Sequence, residues 1–216
     1  EELKQYQDSL IAKMSKLFRL STDQVILILI YEQWNVENSI LSFFADQDSC
    51  LKQAGIQRII KEEKMINDDY RCPVYSCLIQ ADNDAILPCG HRFCKDCAFK
   101  YINTQFYIDT QTIKFGCLEG GCNGQIFPSM IHEALSNNTF PELSEQERLN
   151  RCMNAVQQYD KSILDSYIKS LNVQLVKCKN SQCSYFVIRY ELHNNEIRCL
   201  CVANVSTIHI YQQLAQ

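Results

Sequence analysis

The chain has 216 residues, 46% of them apolar, a formal charge of −4 and thirteen cysteines. This composition excludes a disordered or fibrous polypeptide and allows one or two ordinary domains or a string of small modules. No apolar run approaches the ~20 residues of a membrane span, and no basic stripe is present to meet a phosphate backbone, so neither membrane nor nucleic acid is expected as a partner.

In chain order, Leu10, Ile11, Met14, Leu17 and Phe18 fall at helical spacing. Ser21-Thr22-Asp23-Gln24 then reads as an N-cap with a capping-box glutamine, which favours a helix over a buried strand for the β-branched run VILILIY. The polar pair Glu32-Gln33 ends it. A third helix is expected from Asn35, with Val36, Ile40 and either Phe43 or Phe44 turned inward and Trp34 covering the joint. These elements predict a three-helix bundle over residues 1–57, followed by a charge-rich linker, 58–70. Cys50 stands apart from every metal-type pair and reads as an ordinary thiol.

The stretch Cys72 to Cys122 dominates the middle of the chain. Its Cys72, Cys77, Cys89, His91, Cys94, Cys97, Cys117 and Cys122 are separated by 4, 11, 1, 2, 2, 19 and 4 residues. Short pairs alternating with longer gaps suit tetrahedral Zn²⁺, because each tight knuckle supplies two ligands and two knuckles fill one ion. Eight ligands mean two zinc ions. A disulfide framework is the alternative, but EELKQYQDSL lacks a basic start and an apolar signal core. The odd cysteine count and the Cys94-x2-Cys97 pair beside His91 also favour metal. A reducing compartment, cytoplasm or nucleus, is expected in consequence. The ligand sets are closed, so the zinc is expected to be structural, and function must reside in the surface it shapes.

Downstream, Tyr159, Ile163, Leu164, Tyr167, Ile168 and Leu171 form an apolar helical stripe. It leads into Cys178, Cys183, Cys199 and Cys201, a further four-cysteine set. Three filled sites would lower the formal charge to roughly −9. Cys152 belongs to no pair.

Three segments carry a family resemblance. WNVENSILSFFADQD running into LKQAGI resembles the ubiquitin-associated-like domain at the front of ariadne-type ubiquitin ligases. Leu17-Phe18-Arg19-Leu20 stands where many ubiquitin-binding relatives have a Met-Gly-Phe-type loop. The order of three cysteines, one histidine and four cysteines resembles a RING, and not the related plant-homeodomain order in which histidine comes fifth. YDKSILDSYIKSLNVQLVKC resembles the helix and entry strand that join a first RING to an in-between-RING domain, and the four cysteines from Cys178 match that domain's first zinc site. Over about residues 8–201 the chain thus resembles a ring-between-ring (RBR) ubiquitin ligase of the ariadne type.

The resemblance implies an α+β chain of small zinc-stabilised modules: a ubiquitin-associated-like bundle (1–57), a linker (58–70), a cross-brace RING (71–135), a helical linker (136–173), the first half of an in-between-RING domain (174–201) and an unmatched tail (202–216). The cross-brace pairs Cys72, Cys77, Cys94 and Cys97 on one zinc, and Cys89, His91, Cys117 and Cys122 on the second. Cys178, Cys183, Cys199 and Cys201 would hold a third. The RING would grip a ubiquitin-charged conjugating enzyme, with Val74, Phe99 and Leu118 as contacts. Ubiquitin is then a further partner, and a ubiquitin-like modifier or cullin-type partner would suit the bundle. One departure stands out: Cys72-Pro-Val-Tyr-Ser-Cys77 is two residues longer than the usual first knuckle, which would place its second cysteine at Tyr75. After Cys201 the sequence VANVSTIHIYQQLAQ contains no cysteine. The expected chain therefore stops within the in-between-RING domain, without the second RING and its acceptor cysteine, and is catalytically incomplete. A non-catalytic zinc-binding adaptor is the alternative.

Overall fold

Polar caps fix where the amino-terminal helices begin. The computed structural model describes residues 2–56, 71–80, 82–137 and 142–171, with the backbone of four strands beyond, and divides the chain into units 1–167 and 168–216. Helix α1 (Glu2–Phe18) starts a full eight residues before the first apolar position used to predict it. The run VILILIY lies in helix α2 (Thr22–Tyr31). Ser21 and Gln24 form the complete capping box: the Ser21 hydroxyl accepts from the Gln24 N–H at 3.3 Å, and the Gln24 side chain accepts from the Ser21 N–H at 3.0 Å. Helix α3 (Val36–Ala45) opens behind Asn35, whose side chain accepts from the Asn38 N–H.

The bundle meets one expectation and departs from another. Of the two candidate rings, Phe43 faces inward and stacks on Phe18 at 4.0 Å, while Phe44 is 62% exposed. A fourth helix, α4 (Gln47–Gln53), replaces the expected three-helix count. Its cap is Asp46, which accepts from the Ser49 N–H, and it buries only Cys50 and Leu51, too few to leave a visible period. Gln33 and Trp34 between α2 and α3 both have positive φ, 54° and 62°, unusual for residues with a Cβ. Packing holds Trp34 there: its ring lies 5.2 Å from that of Tyr167, and its indole N–H donates to the Ser166 hydroxyl at 2.8 Å.

The zinc-type module is small in secondary structure. An antiparallel hairpin pairs β1 (Asp84–Ile86) with β2 (Arg92–Cys94), register Ala85 to Phe93, and runs into helix α5 (Lys95–Ile108). Helix α6 (Pro128–Ser136) comes after the last knuckle, a helix that periodicity does not reveal although Pro128 sits at its first position. Asn103 fastens α6 to α5, donating to both the Phe99 and Ala134 carbonyls at 2.9 Å. Helix α7 (Glu145–Ser170) carries the predicted stripe except Leu171, which lies just past its end and is exposed. Tyr159, Ile163 and Tyr167 are buried, and Leu164 is half-buried. Tyr159 meets Phe115 edge-on at 6.0 Å on one side, while Gln7 of α1 donates to the Ile163 carbonyl at 3.4 Å. One apolar cluster accordingly runs from Phe18, Val25 and Ile28 through Ile56 and Phe93 to Tyr159. Unit 168–216 contains β3 (Gln174–Lys177) antiparallel to β4 (Phe186–Arg189), and β5 (Glu196–Arg198) antiparallel to β6 (Thr207–His209). The linker residues 58–70 and most of the tail lie outside the described residues.

Candidate metal centres

Local backbone geometry assembles two donor sets. In the first knuckle the Cys72 N–H donates to the Cys77 carbonyl and the Ser76 N–H to the Cys72 carbonyl, both at 2.8 Å. Ser76 takes a left-handed conformation (φ 54°), and Arg71 donates to its carbonyl at 3.0 Å. The two additional residues are thus absorbed in a closed turn that returns Cys77 to Cys72 and turns Tyr75 outward, 66% exposed. Cys94, at the N-cap of α5, accepts from the Cys97 N–H at 3.4 Å, so the start of the helix sets the spacing of these two sulfurs. The sulfurs of Cys72, Cys77, Cys94 and Cys97 all lie within 4.8 Å of one another.

The second set grows from the β1–β2 turn and the last knuckle. Leu87 donates its N–H to the His91 carbonyl at 2.9 Å, closing a turn through Gly90 (φ 85°) that presents Cys89 and His91 together. The imidazole directs Nδ1 at the cluster, 3.3 Å from Cys89 Sγ and 3.6 Å from Cys117 Sγ. Glu119 and Gly124 donate N–H groups to the sulfurs of Cys117 and Cys122 at 3.4 and 3.3 Å. Gly124 is required for its size: a Cβ there would collide with Cys89 Cβ and lie 2.7 Å from its sulfur. The donor atoms of Cys89, His91, Cys117 and Cys122 again lie within 4.8 Å.

Along the chain the two sets alternate, each closing around part of the other. Sulfurs this crowded do not ionise readily together. Burial pushes the Cys97 thiol well up, and the Cys94 and Cys72 sulfurs add to it. Burial likewise takes Cys117 to about 12 against the help of the Glu119 N–H. At Cys72 burial is outweighed by hydrogen bonds from the Cys94 and Val74 backbone and from the Cys97 and Cys94 side chains, which bring it to about 7. A dication resolves that conflict: four soft donors, mostly sulfur, with N–H groups aimed at them, fit Zn²⁺. Cys72, Cys77, Cys94 and Cys97 would hold one ion and Cys89, His91, Cys117 and Cys122 the other, and each ion would supply a structural cross-link.

The remaining predicted residues divide by exposure. Val74 is 43% exposed on the first knuckle, and Phe99 and Leu118 are half-buried against the core. Cys178, Cys183, Cys199 and Cys201 lie outside the described residues. Cys50 and Cys152 are buried, 2% and 4% exposed. Burial, with Glu32 nearby, holds the Cys50 thiol up and so protonated. Spacing gives no sign that Tyr75 is a surface group, nor that Lys100, twenty-five residues later, lies over its ring.

Comparison with known proteins finds a zinc-finger family over most of this stretch. The family described as "Zinc finger, C3HC4 type (RING finger)" matches residues 67–118. "Probable E3 ubiquitin-protein ligase ARI13" of Arabidopsis thaliana is 25% identical over 221 residues, covering 93% of this chain and 37% of that protein. "E3 ubiquitin-protein ligase ariadne-1" of Drosophila melanogaster is 23% identical over 208 residues, covering 93% of this chain and 38% of that protein. The chain therefore spans little more than a third of the length of these relatives.

Proposed function

We propose that this chain, which carries a RING and whose homologues along nearly its whole length are ariadne-type RBR E3 ubiquitin ligases, forms the part of such a ligase that recruits a ubiquitin-charged conjugating enzyme. The observation that carries this is the pair of alternating four-donor sets, Cys72/Cys77/Cys94/Cys97 and Cys89/His91/Cys117/Cys122. A closed metal site performs no chemistry on a substrate. Its product is a rigid surface, and the surface at hand offers Val74 from the first knuckle, Leu118 from the last and Phe99 from α5 as contacts for the conjugating enzyme.

Transfer within such ligases needs an accessible thiolate to take ubiquitin. Among the described cysteines outside the two sets, Cys50 and Cys152 are both buried, so neither meets that requirement. The 216 residues are read as binding the charged enzyme without themselves accepting its cargo. In the same reading Cys178, Cys183, Cys199 and Cys201 hold a third zinc, and a chain so rich in thiols belongs in a reducing compartment, cytoplasm or nucleus. The bundle is read as ubiquitin-associated-like. Its exposed Leu17, Leu41 and Phe44 favour a docking role, with a ubiquitin-like modifier or cullin-type partner as occupant.

Equilibrium binding of conjugating enzymes to the zinc-loaded chain, paired with a thioester gel, tests the reading. Binding that Val74→Asp abolishes, with no reducible ubiquitin adduct on the chain, is the expected result. A reducible adduct would overturn the second half, and absence of binding across a broad set of conjugating enzymes would overturn the first. Metal analysis tests the third site separately: three ions per chain support it, two refute it.

A further inference from the structure

The first knuckle does more than accommodate its additional length. With Cys77 as the second donor of the knuckle and Ser76 in the left-handed region, Tyr75 faces solvent. Val74 and Leu78 are exposed with it, so three apolar side chains within five residues are offered to water, in a segment whose backbone is pinned on both sides by hydrogen bonds. Rigidly presented tyrosines of this kind are characteristic of binding surfaces, because they contribute large contact area with little ordering cost.

Tyr75 does not stand alone. The Lys100 ammonium of α5 lies over its ring, 5.4 Å from the centroid. The other lysine near the start of that helix, Lys95, is used internally, paired with Glu133 at 3.3 Å. Lys100 forms no ion pair among the described residues. A partner approaching the knuckle therefore meets an aromatic ring and, held over it, a positive charge that makes no ion pair among the described residues. Charge complementarity requires a carboxylate, and the ring requires an apolar side chain beside it.

We propose that the Tyr75–Lys100 pair, created by the longer first knuckle, selects among ubiquitin-conjugating enzymes, favouring those whose contacting loop sets an apolar side chain next to a carboxylate. This rests on the proposed recruitment of a conjugating enzyme, which assigns the face but not its selectivity. Val74, Phe99 and Leu118 would provide the general grip, and Tyr75 with Lys100 the discrimination.

The test uses the full zinc-loaded chain against a panel of conjugating enzymes that differ in charge at the contacting loop. Dissociation constants are measured for the parent, Tyr75→Ala, Lys100→Glu and the double variant, with zinc content confirming that each is folded. Tyr75→Ala is expected to weaken the preferred enzymes by about tenfold or more, as loss of a tyrosine hot spot does, with little effect on the others. Lys100→Glu should invert the preference, improving enzymes that carry a basic loop. The two substitutions together should fall short of the product of their separate effects, as they do for groups in contact. If the parent binds but both single variants keep its ranking, the selectivity proposal is overturned while recruitment survives. If Tyr75→Ala weakens capture of free ubiquitin alone, the face belongs to a different occupant and the proposal is overturned likewise. If no conjugating enzyme binds the parent, recruitment itself is refuted and the selectivity proposal goes with it.

Discussion

Helices α1–α4 and the Cys72–Cys122 module reach ordered structure by different physical routes, although both belong to the same unit. The helices bury Phe18, Val25, Leu27, Ile28, Leu29 and Phe43 against one another, and their ends are closed by Ser21, Asn35 and Asp46. The metal module has two three-residue strands and one helix within its ligand span, too little apolar material to fix its own loops. What it has instead is eight donors from knuckles whose backbone is already shaped to receive an ion. Non-directional burial tolerates drift in a helix boundary, whereas coordination requires each donor in place. A surface built on the second principle is the better template for recognition, and that is where the proposed contacts lie.

Removing metal should therefore separate the two regions more widely than any other change. Structural zinc contributes roughly 10–16 kcal/mol, as much as or more than the whole stability of an ordinary domain. Exhaustive chelation, or Cys89→Ala, is expected to abolish amide-exchange protection across residues 84–94 and 115–126 while most of the α1–α4 helical signal remains. Unchanged protection in the metal module would remove the basis for the zinc assignment. A subtler version leaves every ligand untouched. Gly124→Ala introduces a methyl that collides with Cys89 Cβ and lies 3.3 Å from Cys122 Sγ, so the second donor set must spread. Zinc content should drop by about one ion per chain, because only the open set loses its four-donor geometry. Full occupancy after this substitution would show that the knuckle can shift freely.

The reverse perturbation is smaller. Phe18 is buried and stacked on Phe43 at 4.0 Å. Phe18→Ala should cost about 3–5 kcal/mol of bundle stability by denaturant titration. Zinc content should not change, and Trp34, the single tryptophan, should report the loss through its fluorescence. A variant that lost zinc would show that the bundle and the metal module fold as one cooperative body.

The same contrast governs how much of the molecule was legible in its sequence. The capping box at Ser21 and Gln24 and each short donor pair are encoded within a few residues, so spacing alone exposes them. Both Phe43 and Phe44 reach Phe18, a residue in another helix, and what separates them is that Phe43 stacks on its face at 4.0 Å while Phe44 meets it edge-on at 6.0 Å and stays exposed. Helix α4 has only two buried positions, so no period marks it. The size restriction at Gly124 comes from Cys89, thirty-five residues earlier, and the selection of Nδ1 at His91 depends on the turn through Gly90. Long-range contacts leave no local trace in composition or period.

Asp23 is such a long-range partner, and its loss carries the smallest expected effect. It lies in the first turn of α2, where an acidic residue is ordinary. Yet its two oxygens accept from the Ser129 N–H at 3.0 Å and the Ser129 hydroxyl at 2.6 Å, so a residue of the bundle caps α6. That helix needs an external cap because Phe127, at its own N-cap position, offers no side-chain acceptor. Asp23→Ala should cost about 1 kcal/mol, the usual value of an N-cap. Asp23→Asn, which keeps one acceptor oxygen, should recover part of it. Hydrogen exchange supplies the measurement: amides of Ser129 to Ile131 should open faster in Asp23→Ala, with the zinc-coordinating turns unaffected. If exchange there is unchanged, the two regions are joined by apolar packing alone, through residues such as Tyr159 and Ile28, and this polar link is incidental.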